Sequence, residues 1–560
     1  MTEQAQRIVD AYKFVDGHAL NERKLWLQDD YVKFIRTAQT MLEQVPVGVL
    51  GYITAHGYFD NPTFRGMRQS LMGTFRCLRL LDLHGNANKN ERAPDGSEDK
   101  NVFDIRQGVG ICLANRSNAK QLVQRADLWG NREAKYAWLS SHSVGDTPFG
   151  TLSPDSPYYF FEPQNINCRA EYDRGWKINE LMPVNGAGFI TARDHFVVDL
   201  DGDDLLSRIA DFASPKLSDA AIRSKYFAGC GSDKYPDGDT RGWKVPNARR
   251  RVQGDRNWRD RVRTCSYRPF DQRYIYWTDW MVDWPRPEVM GHMLAGRNIA
   301  FHICRQSISD YWGHVLATRG LVDDCYVSNK SRERGYAHPL YLYADSERLG
   351  FGRDQEPNIS AAFLKELSAV LGVEATKLHG LPNGFTPEDI FHYIYAVLHS
   401  PGYRMRYAEF LKIDFPRLPL TGNVKLFSSL SQLGGELVAF HLLESTKLDE
   451  PISAYIGPRN PEVEKPTYAR KTVWLDKEQT CGFKGVPEAV WNFHIGGYQV
   501  CEKWLKDRKG RTLSKDDIAH YNKIVVALSE TIRLMKKIDE VIDEHGGWPG
   551  AFQSVAAEKA

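Results

Sequence analysis

The sequence predicts an α/β protein whose middle is mixed α+β and whose carboxy-terminal part is helical. Three observations carry this. Short apolar runs bounded by glycines alternate with helical periodicity over the first quarter of the chain. Near the middle a strongly basic stretch passes straight into one rich in Tyr and Trp. Toward the end, helix-start signals at Thr386 and Ser514 open long apolar-periodic runs.

Taken in order, the first 45 residues read as helix. Tyr31, Phe34, Ile35, Ala38 and Leu42 recur at spacings of three and four, and Asp29 and Asp30 stand at the amino end, where the helix dipole favours acids. GVLGYITAHGYF (Gly48–Phe59) reads as a buried strand, FRGMRQSLMGTF as a helix, and Cys77–Asn86 and Asn101–Ser117 as two further strands. QLVQRADLWGNREAKYAWLSS reads as helix and TLSPDSPYYFFEP as an extended aromatic segment. Gly186-x-Gly188 lacks the third glycine of a dinucleotide loop and precedes a β-rich run, so a turn is expected. Helices follow at about Ile359–Leu371, from Thr386 with Pro387 at its first position, and from Ser514. In the last, Ser514 and Asp517 resemble a capping box, and Ile518, Tyr521, Val525, Leu528, Ile532, Met535 and Ile538 form one apolar face that runs toward Gly546-Gly547.

Composition bounds the function. A chain of 560 residues suggests three to four domains at about 150 residues each. Its net charge is only +2, which argues against a polyelectrolyte binder over the whole surface. Between Arg241 and Arg263, however, nine Lys/Arg face two acids, a local balance of +7. Nine scattered cysteines without a CxxC exclude a zinc ribbon and fit a reducing cytoplasm. MTEQAQRIVDAYKF has no apolar run and no stretch of about 18 apolar residues occurs, so neither a secretory leader nor a membrane span is expected. No GxxxxGK[ST] loop is present to cradle a nucleotide triphosphate. Pro94-Asp95-Gly96-Ser97-Glu98-Asp99-Lys100 resembles a nuclease motif, but its acids are too close together in a polar loop to converge on magnesium, so a solvated loop is expected. His392 and His399 lack a third ligand, and no metal is expected.

The runs YVKFIRTAQ, GVLGYITAHGYF, LRLLDLHGN, NVFDIRQGVGI, GAGFITARDHFVVDL, SYRPFDQRYIYW, NIAFHICRQ and PEDIFHYIYAVLHSPGYRMRYAEFLKIDFPRLPL, in this order, resemble blocks of the type ISP (single-polypeptide type I) restriction–modification enzymes. The likeness is to their carboxy-terminal part: the end of a γ-class adenine-N6 DNA methyltransferase domain and the target-recognition domain. It implies the carboxy-terminal part of a Rossmann-like methyltransferase sheet over 1–125, a DNA specificity domain over 126–345, a helical part over 346–450 and a final part over 451–560 that ends in a long amphipathic helix. It implies double-stranded DNA as partner and S-adenosylmethionine as cofactor, with a target base flipped out of the duplex.

In that family a glycine-rich loop binds the cofactor and an Asn-Pro-Pro-Tyr tetrapeptide holds the target amino group. Both would lie upstream of Met1. The nearest substitute, Asn61-Pro62-Thr63-Phe64, lacks the second proline and reads as a turn that opens a helix. The expectation is therefore a recognition portion that is incomplete alone, with a separate chain supplying the upstream methyltransferase, helicase or nuclease parts. The alternative is a non-catalytic DNA specificity subunit or a relic of a disrupted gene. The resemblance places Phe103 against the flipped base. It places Thr191, Arg193, Arg268, Arg273, Arg286, Arg305 and Gln306 in the recognition region, where arginine suits guanine and glutamine suits adenine. Arg249, Arg250 and Arg251, read as an unstructured basic run, are expected on phosphates, and Trp504–Arg511 is a secondary basic candidate whose simpler reading is a solvated turn.

Overall fold

The computed structural model describes residues 8–20, 25–87, 91–118, 120–163, 167–309, 311–330, 333–343 and 355–552. The first seven residues, part of the segment read as lacking an apolar leader, lie outside these. The chain divides into two compact units, residues 1–166 and 167–560. Residue 125 lies inside a strand (Leu122–Asp127), and among the described residues of the second unit one hydrophobic cluster runs from Tyr172 to Ala551.

The first unit begins with a 3-10 turn at Asp10–Lys13 and a small hairpin, Phe14–Val15 with His18–Ala19. Among the described residues of the first 45, expected as helix throughout, α-helix is limited to α1 (Asp30–Leu42), preceded by a 3-10 turn at Leu25–Gln28. Then come β1 (Gly48–Ala55), α2 (Arg65–Thr74), β2 (Cys77–Asp82), β3 (Val109–Arg116), β4 (Leu122–Asp127), α3 (Arg132–Ser141) and β5 (Gly150–Leu152). They build a five-stranded sheet in the order β1-β3-β2-β4-β5, antiparallel except for the β2–β4 pair. The expected helix over Gln121–Ser141 thus splits into β4 and α3. Six consecutive parallel pairings with β2 bury Val123 and Ala126 and outweigh the local helical pattern. Asn131 then caps α3 by accepting from the Ala134 amide. β1 is an edge strand, not a buried one. Val49 and Ile53 are 69% and 53% exposed, while Leu50 packs on the core.

In the second unit Gly186–Ala187, expected as a turn, is a short strand, β6. The run expected to be β-rich holds only β7 (Val198–Asp199) after a helical turn at Asp194–Val197. α4 (Gly202–Ala213), α5 (Asp219–Tyr226) and α6 (Val245–Gly254) follow, and the basic run expected to be unstructured is largely α6. β8 (Val262–Arg268) and β9 (Asp271–Tyr276) form a hairpin. After α7 (Pro287–Ala295) come β10 (Ala300–Cys304), β11 (Val315–Thr318), β12 (Leu321–Val322) and β13 (Gly335–Pro339). Two four-stranded sheets result, β7-β9-β8-β12 and β11-β10-β13-β6.

The main helices that follow are α8 (Ala361–Leu371), α9 (Pro387–His399), α10 (Val424–His441), α11 (Val500–Lys506) and α12 (Lys515–Glu544). Thr386–Asp389 and Ser514–Asp517 both close reciprocal capping boxes, as their spacing predicts. Tyr521, Val525, Leu528, Met535 and Ile538 of the predicted face are buried. A polar chain crosses three helices: the Tyr395 hydroxyl meets His441 Nδ1 at 2.6 Å, and His441 Nε2 meets the Thr531 hydroxyl at 2.8 Å. Burial holds His441 neutral, with its pKa lowered to about 3.

α9 and α10 approach so closely at Gly434 that a Cβ there would collide with the His392 carbonyl. We expect Gly434→Val to force the helices apart and lower stability by about 1–3 kcal/mol. Urea denaturation followed by circular dichroism measures it; an unchanged midpoint would contradict this packing.

Candidate nucleic-acid interface

The basic run is organised by helical periodicity. Val245, Ala248, Arg249 and Val252 turn one face of α6 into the core, which leaves Asn247, Arg250, Arg251 and Gln253 exposed. Arg249 therefore corrects the phosphate-contact expectation. Its guanidinium is buried and donates to the Phe212, Ser214 and Leu217 carbonyls at 2.7–2.9 Å, and it pairs with Asp219. It satisfies carbonyls at the carboxy end of α4, where a helix lacks its own donors. The 245/248/249/252 spacing is the sequence signal that separates it from its neighbours. Beyond α6, Arg256, Arg259, Arg261 and Arg263 are exposed around a 3-10 turn, with Arg261 Nε 2.9 Å from Asp255.

On the hairpin, Tyr267 lies between two guanidinium groups, Arg268 at 3.9 Å and Arg273 at 4.0 Å from the ring centre. Arg268 pairs with Asp323 at 2.7 Å, and the Tyr267 hydroxyl donates to Asp194 at 2.7 Å. Arg273 reaches Asp271 at 2.9 Å and Asp507 at 3.4 Å. Asp271 also receives Arg508 Nη2 at 2.8 Å, and Arg508 lies 3.5 Å over the Trp504 ring. Burial, with the nearby Asp194 and Asp324 carboxylates, holds Asp323 above the usual carboxylate range despite Arg268. Arg268 and Arg273 are thus each paired with carboxylates and stacked on Tyr267, with only a small part of either side chain exposed. In the Trp504–Arg511 segment, Asp507 and Arg508 dock on the hairpin, so it is not a solvated turn. Asp271 and Arg508 escaped the sequence reading because a pairing across 237 positions leaves no local pattern.

The remaining predicted contacts divide. Thr191 and Arg193 are buried: the Thr191 hydroxyl bonds Asp194, and Arg193 donates to the Thr191 and Met281 carbonyls at 2.9 and 2.6 Å and pairs with Asp283. Gln306 is buried. Arg305 is partly exposed and pairs with Asp414 at 2.8 Å. Arg286 precedes α7 in a left-handed conformation (φ 54°). Arg250 and Arg251 are the two exposed predicted arginines.

In the first unit Phe103 is 43% exposed on a loop held by Asn101. The Asn101 amide donates to the Gly85 and Gln107 carbonyls and its oxygen accepts from the Phe103 amide. Asn61 is an N-cap whose oxygen accepts from the Thr63 amide at 3.0 Å, the turn its sequence suggests. The Pro94–Lys100 loop is less solvated than expected, because Asp99 is buried against Lys135 at 2.7 Å. At the carboxy ends of β2 and β4, His84 donates from Nδ1 to Glu91 (3.0 Å) and from Nε2 to Asp127 (2.9 Å). Burial opposes its charge, but these carboxylates and Asp82 win and raise its pKa to about 9. The acid–histidine group Asp82–His84–Asp127 already holds the Arg125 guanidinium, 2.8 Å from both aspartates, and Asp323 and Asp324 of the second acidic group pair with Arg268 and Arg334. The crowded glycines Gly66, Gly85 and Gly108 press on backbone atoms of Tyr12, Phe14 and Asn101 and on the His56 ring. They form no open cradle for an adenosyl cofactor.

The type ISP C-terminal specificity domain matches this sequence over residues 180–537. Three solved structures share its fold. The ATP-dependent type ISP restriction–modification enzyme LlaBIII bound to DNA has a TM-score of 0.73 at 18% identity, over 96% of this chain and 35% of that one. The DrdV–DNA complex has a TM-score of 0.72 at 20% identity, over 96% and 54%. A nuclease-deletion mutant of the type ISP enzyme LlaGI with a DNA substrate mimic has a TM-score of 0.67 at 18% identity, over 96% and 42%. The chain thus spans about a third to a half of the chains it resembles. No curated protein matches it. Among the described residues, no helix is long and apolar enough to cross a membrane.

Two outcomes are expected. Asp271→Ala leaves Arg273 and Arg508 without their shared buried carboxylate and should cost about 3 kcal/mol of stability by urea titration. His84 carries a folded pKa above its unfolded value, so its contribution is complete below about 6.5, the unfolded pKa of histidine, and fades as pH rises through about 9. The stability gap between the parent chain and His84→Gln should therefore shrink between pH 6 and pH 10; a constant gap would refute the charged imidazolium.

Proposed function

The chain belongs to the type ISP C-terminal specificity domain family, and on that premise we propose that it is the DNA-binding, sequence-recognising portion of a restriction–modification adenine-N6 DNA methyltransferase. The observation that carries this reading is the exposed cationic face of α6 and the turn after it, with Arg250, Arg251, Arg256 and Arg259 directed away from the core. Such an array neutralises phosphates and fixes register on a duplex. Base reading falls to partly exposed groups, with Arg286 and Arg305 as candidates. Arg268 and Arg273 stiffen the hairpin behind them.

We further propose that the five-stranded sheet of the first unit is the carboxy-terminal part of a Rossmann-like methyltransferase sheet. Its β1 edge presents unpaired backbone groups beside exposed Val49 and Ile53, the surface on which the rest of an α/β sheet would add. S-adenosylmethionine and the amino-binding tetrapeptide would belong to that added part, and Phe103 would pack on the flipped adenine from this side. The alternative is a DNA specificity subunit without catalysis, a reading that the family match over residues 180–537 equally allows.

Duplex binding by the purified chain at two salt concentrations, with labelled S-adenosylmethionine present, tests the DNA-binding premise that both readings share. Salt-sensitive, sequence-selective binding without methyl transfer is expected. Arg250→Ala with Arg251→Ala should weaken binding to all duplexes and lower the salt slope by about 1–2. Duplex binding unaffected by salt or by these substitutions would overturn the proposal.

A further inference from the structure

A groove of about 770 Å³ opens between α6 and the segment that follows β9. Arg241, Lys244, Asn247 and Arg251 line one side, and Trp280 and Trp284 the other. Its volume lies in the range of sites that take a small molecule or a single nucleotide unit, about 300–1,000 Å³. Trp284 is 52% exposed, yet its backbone is fixed by two hydrogen bonds with Ile190, at 3.0 and 3.1 Å. A large indole left in water on an anchored backbone is not the product of a slack loop. Arg193 braces the same wall, holding the Met281 carbonyl and Asp283 and stacking 4.1 Å over Trp243. Trp243 also lines the groove, is buried, and finds no acceptor for its indole N–H among the described residues.

The charges suit a polyanion that carries planar groups. Among the described residues Arg241 and Arg251 make no ion pair, and Arg251 stands 6.0 Å over the Trp280 ring. Lys244 keeps only a loose contact with Asp239 at 3.8 Å and lies over Tyr235. Of the two acids in the lining, Asp283 is neutralised by Arg193, and Asp279 is exposed. A free carboxylate beside aromatic planes can accept from the exocyclic amino group of cytosine.

We propose that this groove is a nucleobase-stacking site for an unpaired DNA strand. Trp284 and Trp280 supply the stacking faces, Arg241, Lys244 and Arg251 hold the adjoining phosphates, and Asp279 receives a base amino group. Arg193 is a positioning residue that keeps the tryptophan wall in place. This rests on the DNA-binding reading above and adds to it a second mode of contact, to bases outside the helix.

The test compares a short mixed-sequence single-stranded oligonucleotide with its abasic analogue, binding to the full chain being followed by tryptophan fluorescence quenching and anisotropy. The parent chain should prefer the base-bearing strand, and Trp284→Ala should weaken that binding about tenfold, the cost of one stacked base. The abasic strand should be held as before, and Trp284→Phe should restore most of the preference. Arg241→Ala and Lys244→Ala should lower affinity for both strands and flatten the salt dependence. If Trp284→Ala leaves the preference intact while Arg250→Ala with Arg251→Ala still impairs duplex binding, the groove assignment falls and the DNA-binding reading stands. If the parent chain binds neither strand nor duplex at low salt, both fall together.

Discussion

Asp271 is 1% exposed on its side chain and sits between two guanidinium groups, one from its own hairpin and one from the carboxy-terminal segment. A carboxylate that deep is tolerable only because each oxygen has a cation to meet, and each cation is itself backed by an aromatic ring. Arg273 rests on Tyr267 and Arg508 on Trp504. The β8–β9 hairpin, the segment 503–508 and, through Asp323 and Arg268, the strand at 321–322 therefore form one electrostatic unit. Much of the charge that marks this region as a nucleic-acid binder is spent on its own rigidity. The cations left outside this unit lie on the outward face of one helix, in the turn after it and along the groove beside them.

This explains what could be read in the sequence. The starts of α9 and α12 are legible because caps are local, with hydroxyl and carboxylate three residues apart closing on adjacent amides. The basic character of 241–263 is legible because charge is additive along a chain. The direction in which each arginine points is not, since it depends on which face of α6 meets α4. Arg249 and Arg250 are neighbours with opposite fates. Likewise β4 carries a pattern that a helix could also bury, and only its six-residue pairing with β2 decides the matter. Thr191 and Arg193 belong to a run that resembles the recognition block, yet both are buried behind it.

The two units differ in how finished they are. The second closes around one core in which even the histidines of the helix bundle are held neutral by burial. The first splits its apolar residues into two clusters and relies on dense ion and amide networks at the carboxy ends of its strands. Those networks use Asp82, His84, Asp99, Asp127 and Lys135 to fix loops, one of which presents Phe103 and Ile105 to solvent. An apolar loop held out by a saturated polar base is suited to meeting something rather than to filling its own core.

The open β1 edge also governs how this chain behaves in concentrated solution. An eight-residue edge strand with Val49 and Ile53 on view is a template for edge-to-edge association, and a net charge of +2 supplies little colloidal repulsion to prevent it. A charged side chain at position 49 or 53 would act as a gatekeeper on this edge and improve solubility.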